Sequence, residues 1–259
     1  MNREPPEERR ETIAARLAEG SSLSATALAE EFGVSPDAIR RDLRALAAEG
    51  RCRRVYGGAL PLSPASTPMR TRSQEAPGRK AALAEAATRC IQRGDFLFLD
   101  NGSTNLALAQ RLPRSGLKVA TNSVSIAAIL ADRDDIELYL LGGLVRPGIG
   151  GCVDADAMLA LQQMNIDLCF LGACAVSVEE GVSAFDAADA AFKRTVLRCS
   201  RRAALLSTSE KLATRAPHRV APLEAIDALV VEHDAVEHID LGAVRALGLD
   251  VITPMRGAE

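Results

Sequence analysis

Seven short apolar runs, most of them separated by stretches that can form a helix, constrain this chain more than any other feature. They are FLFLD (96–100), KVAT (118–121), IELYLL (136–141), DLCFLGA (167–173), AALLST (203–208), ALVVE (228–232) and DVIT (250–253). Continuous runs of this length are what strands look like when both faces of a sheet are buried. Ala-rich, Leu-spaced segments such as 125–131 and 187–199 fill most of the gaps. The alternation predicts an α/β domain over 77–259, built on a mostly parallel sheet with helices on both faces. No run approaches the ~20 apolar residues of a membrane helix.

The first sixty residues follow a different period. Ile13 and Leu17 lie four apart, with Gly20 as a stop. Ser24 can cap a second helix carrying Leu28 and Phe32, which Gly33 ends. Ser35 is a good N-cap, and Pro36 at the first helical position loses no hydrogen bond. In the third helix Ile39, Leu43 and Leu46 form one apolar stripe, so Arg40, Arg41 and Arg44 face away from the core. Gly50 ends that helix, and RCRRVYGGAL (51–60) reads as a β-hairpin with a Gly-Gly turn. Two helices, a tight turn and a basic strand pair make a winged helix-turn-helix over 1–60. That plan lays the third helix in the major groove and the wing on the backbone.

Charge supports this division. Residues 1–72 hold 12 Arg against 10 Asp and Glu, a net of +2; the remainder holds 19 Lys and Arg against 24 Asp and Glu, a net of -5, giving the whole-chain -3. The excess concentrates in Arg40, Arg41, Arg44, Arg51, Arg53 and Arg54. Their forks suit guanine edges, and their charge suits phosphate. The competing reading is a solvated helical module for protein contact. Prolines at 61, 64, 68 and 77 mark a linker over 61–76. The six cysteines form no CxxC pair and have no nearby histidine, which argues for reduced thiols in a cytoplasm and against a metal site. The charged start MNREPPEERR lacks the apolar core of a secretion signal.

In open α/β sheets ligands sit beyond the carboxyl ends of the strands. NGSTN (101–105) follows the first run, placing Gly102, Ser103 and Thr104 where a helix begins. Asn122 and Ser123 follow the second run, and Gly142 and Gly143 the third. These turns could converge on one pocket for a small polar or anionic ligand. The glycine-rich GGLVRPGIGG (142–151) matches no nucleotide fingerprint and reads as a flexible connection. His218, His233 and His238 lie far along the chain from the Ser/Thr turns, and no catalytic constellation stands out.

With these residues in view, the chain resembles the DeoR family of transcriptional regulators over nearly its whole length. VSPDAIRRDLRALAAEGRCRRVYGGA (34–59) is similar to that family's recognition helix and wing; LDNGSTN, VATNS, LLGG, DLCFLGA, EEGV and the EKL around Lys211 are similar to its sensor half. The resemblance implies a sensor fold related to ribose-5-phosphate isomerase and CoA transferases. It implies a cytoplasmic repressor, a dimer or tetramer without cofactor or metal, whose hold on a double-stranded operator changes when a phosphorylated metabolite binds. It places Ser35, Asp37 and Ala38 beside the arginines at the DNA. At the effector it places Asp100, Gly102, Ser103, Thr104, Asn105, Thr121, Asn122, Ser123, Gly142, Gly143 and Lys211, and Tyr56 and the linker would carry the signal between domains. The chain departs from the family pattern at Thr208, Glu210, Asp154 and Asp189, and Asp154 would add a carboxylate opposing phosphate. The alternative is a sugar-phosphate isomerase-like enzyme with an accessory helical domain, with Asp100 and Asp186 as its available carboxylates.

Overall fold

The computed structural model describes residues 5–18, 23–49, 51–55, 57–60 and 69–255. The chain divides into two compact units, Met1–Ser66 and Thr67–Glu259. Gly20, Gly50, Tyr56, the span 61–68 and the side chain of Arg53 lie outside the described residues, so the readings placed on them are not addressed.

In the first unit α1 (Pro6–Ala18), α2 (Ala25–Glu31) and α3 (Pro36–Ala48) enclose Ile13, Leu17, Leu28, Ile39, Leu43 and Leu46. Ser24 and Ser35 cap α2 and α3 as expected, accepting from the N–H groups of Ala27 and Ala38. Gly33, at φ +60°, turns the chain between them in a conformation most side chains avoid. A buried Arg9–Asp42 ion pair at 2.7 Å ties α1 to α3. The wing is a three-stranded antiparallel sheet in the order β1 (Leu23–Ser24), β3 (Gly58–Leu60), β2 (Arg53–Val55). Val55 pairs with Gly58, so the turn falls one residue earlier than a Gly-Gly turn. Gly58 is already strand, and a Cβ there would lie 2.0 Å from the Leu23 carbonyl oxygen.

The second unit is a seven-stranded sheet whose every pairing is parallel. Its strands are β4 (Phe96–Leu99), β5 (Lys118–Thr121), β6 (Glu137–Leu140), β9 (Ile166–Gly172), β12 (Ser200–Ser207), β14 (Ala228–Val231) and β15 (Asp250–Ile252), ordered β15-β14-β12-β9-β4-β5-β6. All seven apolar runs are present. On one face α5 (Pro77–Ala87), α6 (Ser103–Ala109) and α7 (Val124–Leu130) cover Leu97, Leu99, Val119, Phe170 and Leu206. On the other, α8 (Ala155–Leu161), α9 (Ala187–Arg198) and α10 (Leu241–Ala246) cover Phe98, Cys169, Leu171 and Leu205. No helix among the described residues is long and apolar enough to cross a membrane.

Three features depart from expectation. Residues 69–74 form a helix, α4, within the span read as linker, and Lys80 fixes it by donating to the Arg72 and Glu75 carbonyls. The glycine-rich 142–151 segment contains a short hairpin, β7 (Val145–Arg146) on β8 (Gly151–Cys152), rather than a flexible connection. Finally β10 (Ala175–Ser177), β11 (Gly181–Ala184) and β13 (His218–Ala221) make a small antiparallel sheet of their own.

Candidate nucleic-acid interface and effector cleft

On α3 the apolar stripe fixes what remains outside. Arg40, Arg41 and Arg44 are exposed, as is Arg54 on the wing. Arg40 pairs with Asp37 at 2.7 Å, while Arg41, Arg44 and Arg54 form no ion pair among the described residues. Ser35 spends its hydroxyl on the helix cap, and Ala38 is half-buried. Arg51, expected at the DNA, carries ion pairs on the protein's own surface. Both its terminal nitrogens bond Glu11 of α1, at 2.6 and 2.7 Å, holding its charge on the protein.

The sheet topology locates the second site. After β6 the chain returns to the other side of β4 to begin β9, so the strand order reverses between β4 and β9. The carboxyl ends of strands flanking such a reversal leave a crevice. There a narrow cleft of about 20 Å³ is lined by Asn101, Gly102, Ser103, Thr104 and Asn105 after β4, Gly172 and Ala173 at the end of β9, Leu206 on β12, and Arg72 and Lys211. Arg72 and Lys211 are both buried, and neither forms an ion pair among the described residues. Arg72 gives one hydrogen bond to the Ile149 carbonyl at 3.3 Å, and its Nε has no partner. Burial lowers the Arg72 guanidinium from its ordinary value. Burial also pushes the Lys211 ammonium down to about 8, with the Arg72 charge adding to the effect.

Beneath the cleft lies a charged floor. Lys193 of α9, fully buried, bonds Asp100 Oδ2 at 2.8 Å and Asp189 Oδ1 at 2.7 Å. Asp100 Oδ2 also accepts from the Gly172 N–H at 2.9 Å, and its Oδ1 has no partner. Burial raises the Asp100 carboxyl despite Lys193. Burial would lower Lys193, but the two carboxylates outweigh it and hold the ammonium well above its usual range.

Of the expected effector residues, Gly102, Ser103, Thr104, Asn105 and Lys211 line this cleft, and Asp100 lies buried below it. Thr121, Asn122 and Ser123 are buried supports. Thr121 Oγ1 donates to the Leu99 carbonyl at 2.7 Å. The Asn122 side chain accepts from the Asn101 N–H and donates to the Cys152 carbonyl at 3.1 Å each, and Ser123 caps α7. Gly142 and Gly143 are not among the residues lining the cleft, because β6 is two strands from the reversal. Asp154 caps α8 and accepts from Leu144 N–H at 2.6 Å and Ala157 N–H at 3.1 Å, bonds that hold its carboxyl below the usual range. One oxygen is thus bound to the N–H just before the hairpin and the other to its own helix, and Asp154 is not among the residues lining the cleft. Asp186, available to an enzyme reading, caps α9 instead. Arg72, Lys193 and Asp189 were not among the expected site residues. No group of metal-ligating side chains occurs among the described residues.

Two family models cover most of the chain: a DeoR-like helix-turn-helix domain over residues 9–65 and a DeoR C-terminal sensor domain over 75–233. The glycerol-3-phosphate regulon repressor of Escherichia coli K12 is 30% identical over 212 residues, 81% of this chain and 84% of that protein. The HTH-type transcriptional regulator GlpR of Haloferax volcanii is 28% identical over 92% of this chain and 96% of its own. Among solved structures, ribose 5-phosphate isomerase A from Methanocaldococcus jannaschii overlaps 53% of this chain and 55% of that one, at 15% identity and TM-score 0.40.

Proposed function

This chain belongs to the DeoR family of transcriptional regulators, DNA-binding proteins rather than enzymes, and on that premise we propose that it is a repressor gated by a phosphorylated sugar or polyol. The observation that carries the reading is the pair Arg72 and Lys211, two buried cations that share a cleft and have no carboxylate partner among the described residues. Keeping such charges buried without a counter-charge is costly, and a dianionic ester would supply it. Ser103 and Thr104 add hydroxyls on the same wall. The name of the Escherichia coli relative ties that protein to a glycerol-3-phosphate regulon, which favours an effector of this chemical class.

In this reading Arg41, Arg44 and Arg54 meet duplex DNA, and the protein works as a homo-oligomer in the cytoplasm. The effector favours an arrangement with a different operator affinity, a coupling of ~1–3 kcal/mol. The test is a thermal-shift panel of sugar and polyol phosphates beside their unphosphorylated forms, on the natural chain and on Lys211→Met. A ligand that binds only the folded state raises its melting temperature. Stabilisation by phosphate esters alone, lost in Lys211→Met, is expected; equal stabilisation by the unphosphorylated forms would refute the reading.

A further inference from the structure

Strands of a parallel sheet are normally covered on both faces. β6 is not. Glu137, Tyr139 and Leu140 are exposed and Leu138 is half-buried, whereas in neighbouring β5 three of four residues are buried. β6 pairs with β5 on one side and, among the described residues, with no strand on the other. Five of the eight large hydrophobic side chains exposed among the described residues lie here: Val124, Tyr139, Leu140, Leu144 and Val145. That concentration separates them from ordinary scattered surface residues. Val124 opens α7, whose Ile126 and Leu130 share a cluster with Leu138; Leu144 and Val145 follow directly from β6 into the hairpin. An open, apolar strand edge invites pairing with another chain.

We propose that this edge docks a second copy of the chain, β6 against β6 about a two-fold axis. Area is the first argument. Leu144 is 71% exposed and Leu140 50%. With the other three they expose on the order of a few hundred Å² of side chain, the range in which exposed patches mark interaction sites. An interface of standard size covers ~800 Å² per partner, and homodimer interfaces are ~65% apolar, so the patch supplies a large part of what such a contact requires. Symmetry is the second. A two-fold axis sets the two edges antiparallel, so each strand's free N–H and C=O groups meet those of its twin, and one patch serves both sides. Charge is the third. The exposed ions at the starts of β5 and β6, Lys118 and Glu137, already pair with each other at 3.0 Å. That pair therefore offers no net charge to recruit an acidic or basic partner.

This rests on the proposed oligomeric regulator and names the face it uses, and its test needs neither DNA nor effector. Sedimentation velocity on the full chain, at micromolar concentrations, reads the mass against 27.4 kDa for one copy. The natural chain is expected to run as a dimer or a multiple of it. Leu140→Lys with Leu144→Lys, and Leu144→Lys alone as the variant outside any strand, are expected to weaken self-association on the order of a hundredfold. Their circular dichroism melts should match that of the natural chain. The control Val236→Lys with Met255→Lys, also exposed but distant in sequence, is expected to leave the mass unchanged. A natural chain that stays monomeric, or β6 variants that assemble like it, would overturn the proposal. So would a control that dissociates equally. Retention of effector binding in a dissociated variant would leave the effector reading standing.

Discussion

Lys193→Met removes the one cation from a floor holding two buried carboxylates. The methionine keeps the volume and apolar stem of the lysine, so the change is mainly electrostatic. Lys193 bonds Asp100 at 2.8 Å and Asp189 at 2.7 Å, and all three side chains are buried. Removing one partner of such a pair leaves uncompensated charge and costs ~3–5 kcal/mol. In a domain of this size each kcal/mol moves the melting temperature by about 2–4 °C, so a loss of roughly 6–20 °C is expected. Protonation offers the variant an escape, and its sign is fixed. Asp100 is already raised by burial, and without Lys193 it rises further. A carboxyl raised on folding holds its proton more tightly in the native state, so the variant gains stability relative to the natural chain as pH falls toward that raised value. Thermal or urea melts of both proteins, taken from neutral pH downward, read both effects. Adding Asp189→Asn should restore part of the loss. A cost below about 1 kcal/mol at neutral pH, or a gap that widens on acidification, would refute the reasoning.

Arg41→Ala and Arg44→Ala should each weaken operator binding in a gel-shift titration and lower the salt slope by about one, with effector binding intact, whereas Arg51→Ala, whose charge is held by Glu11, should do so far less. Lys211 sets a pH dependence. Its folded value of about 8 lies below the ordinary 10.5, so the charged form is disfavoured on folding and stability rises with pH between those values. A phosphate monoester is already mostly dianionic above about pH 7. Effector affinity should therefore fall as pH rises through about 8, with proton uptake on binding that titration calorimetry reads by comparing buffers of different ionisation enthalpy; binding without proton uptake near pH 8 would refute this role of Lys211. Asp154→Gly should leave phosphate-ester affinity nearly unaltered while speeding amide exchange at Leu144 and Ala157, the two groups it holds. A gain in affinity would show that its carboxylate does oppose the anion.

The sheet was legible because strands buried on both faces read as unbroken apolar runs, and the winged unit because Ser24, Ser35, Pro36 and Gly33 are local signals. Spatial order was not. The turns after β4, β5 and β6 look alike in sequence, yet β9 rather than β6 lies beside β4, which draws Gly172 into the cleft and leaves Gly142 and Gly143 out of its lining. Arg72 was hidden in a proline-flanked stretch that resembles a linker but contains α4. Asp189 and Lys193, four apart on a helix, have the spacing of an ordinary surface ion pair, and only the packing of α9 on the sheet makes them a floor. The strands β10, β11 and β13 are three or four residues long and rich in small side chains, too weak a pattern to separate from loop.

In the proposed mechanism a metabolite in the cleft between β4, β9 and β12 sets the grip of the arginine-bearing reader on DNA. Fluorescence anisotropy of an operator duplex, with and without the phosphate ester that most stabilises the protein, measures that link. A shift of about 5–150-fold in operator Kd is expected for the natural chain, and none for Arg72→Met with Lys211→Met, which should still bind DNA. An operator Kd indifferent to the ester, or an undiminished response in the double variant, would contradict it.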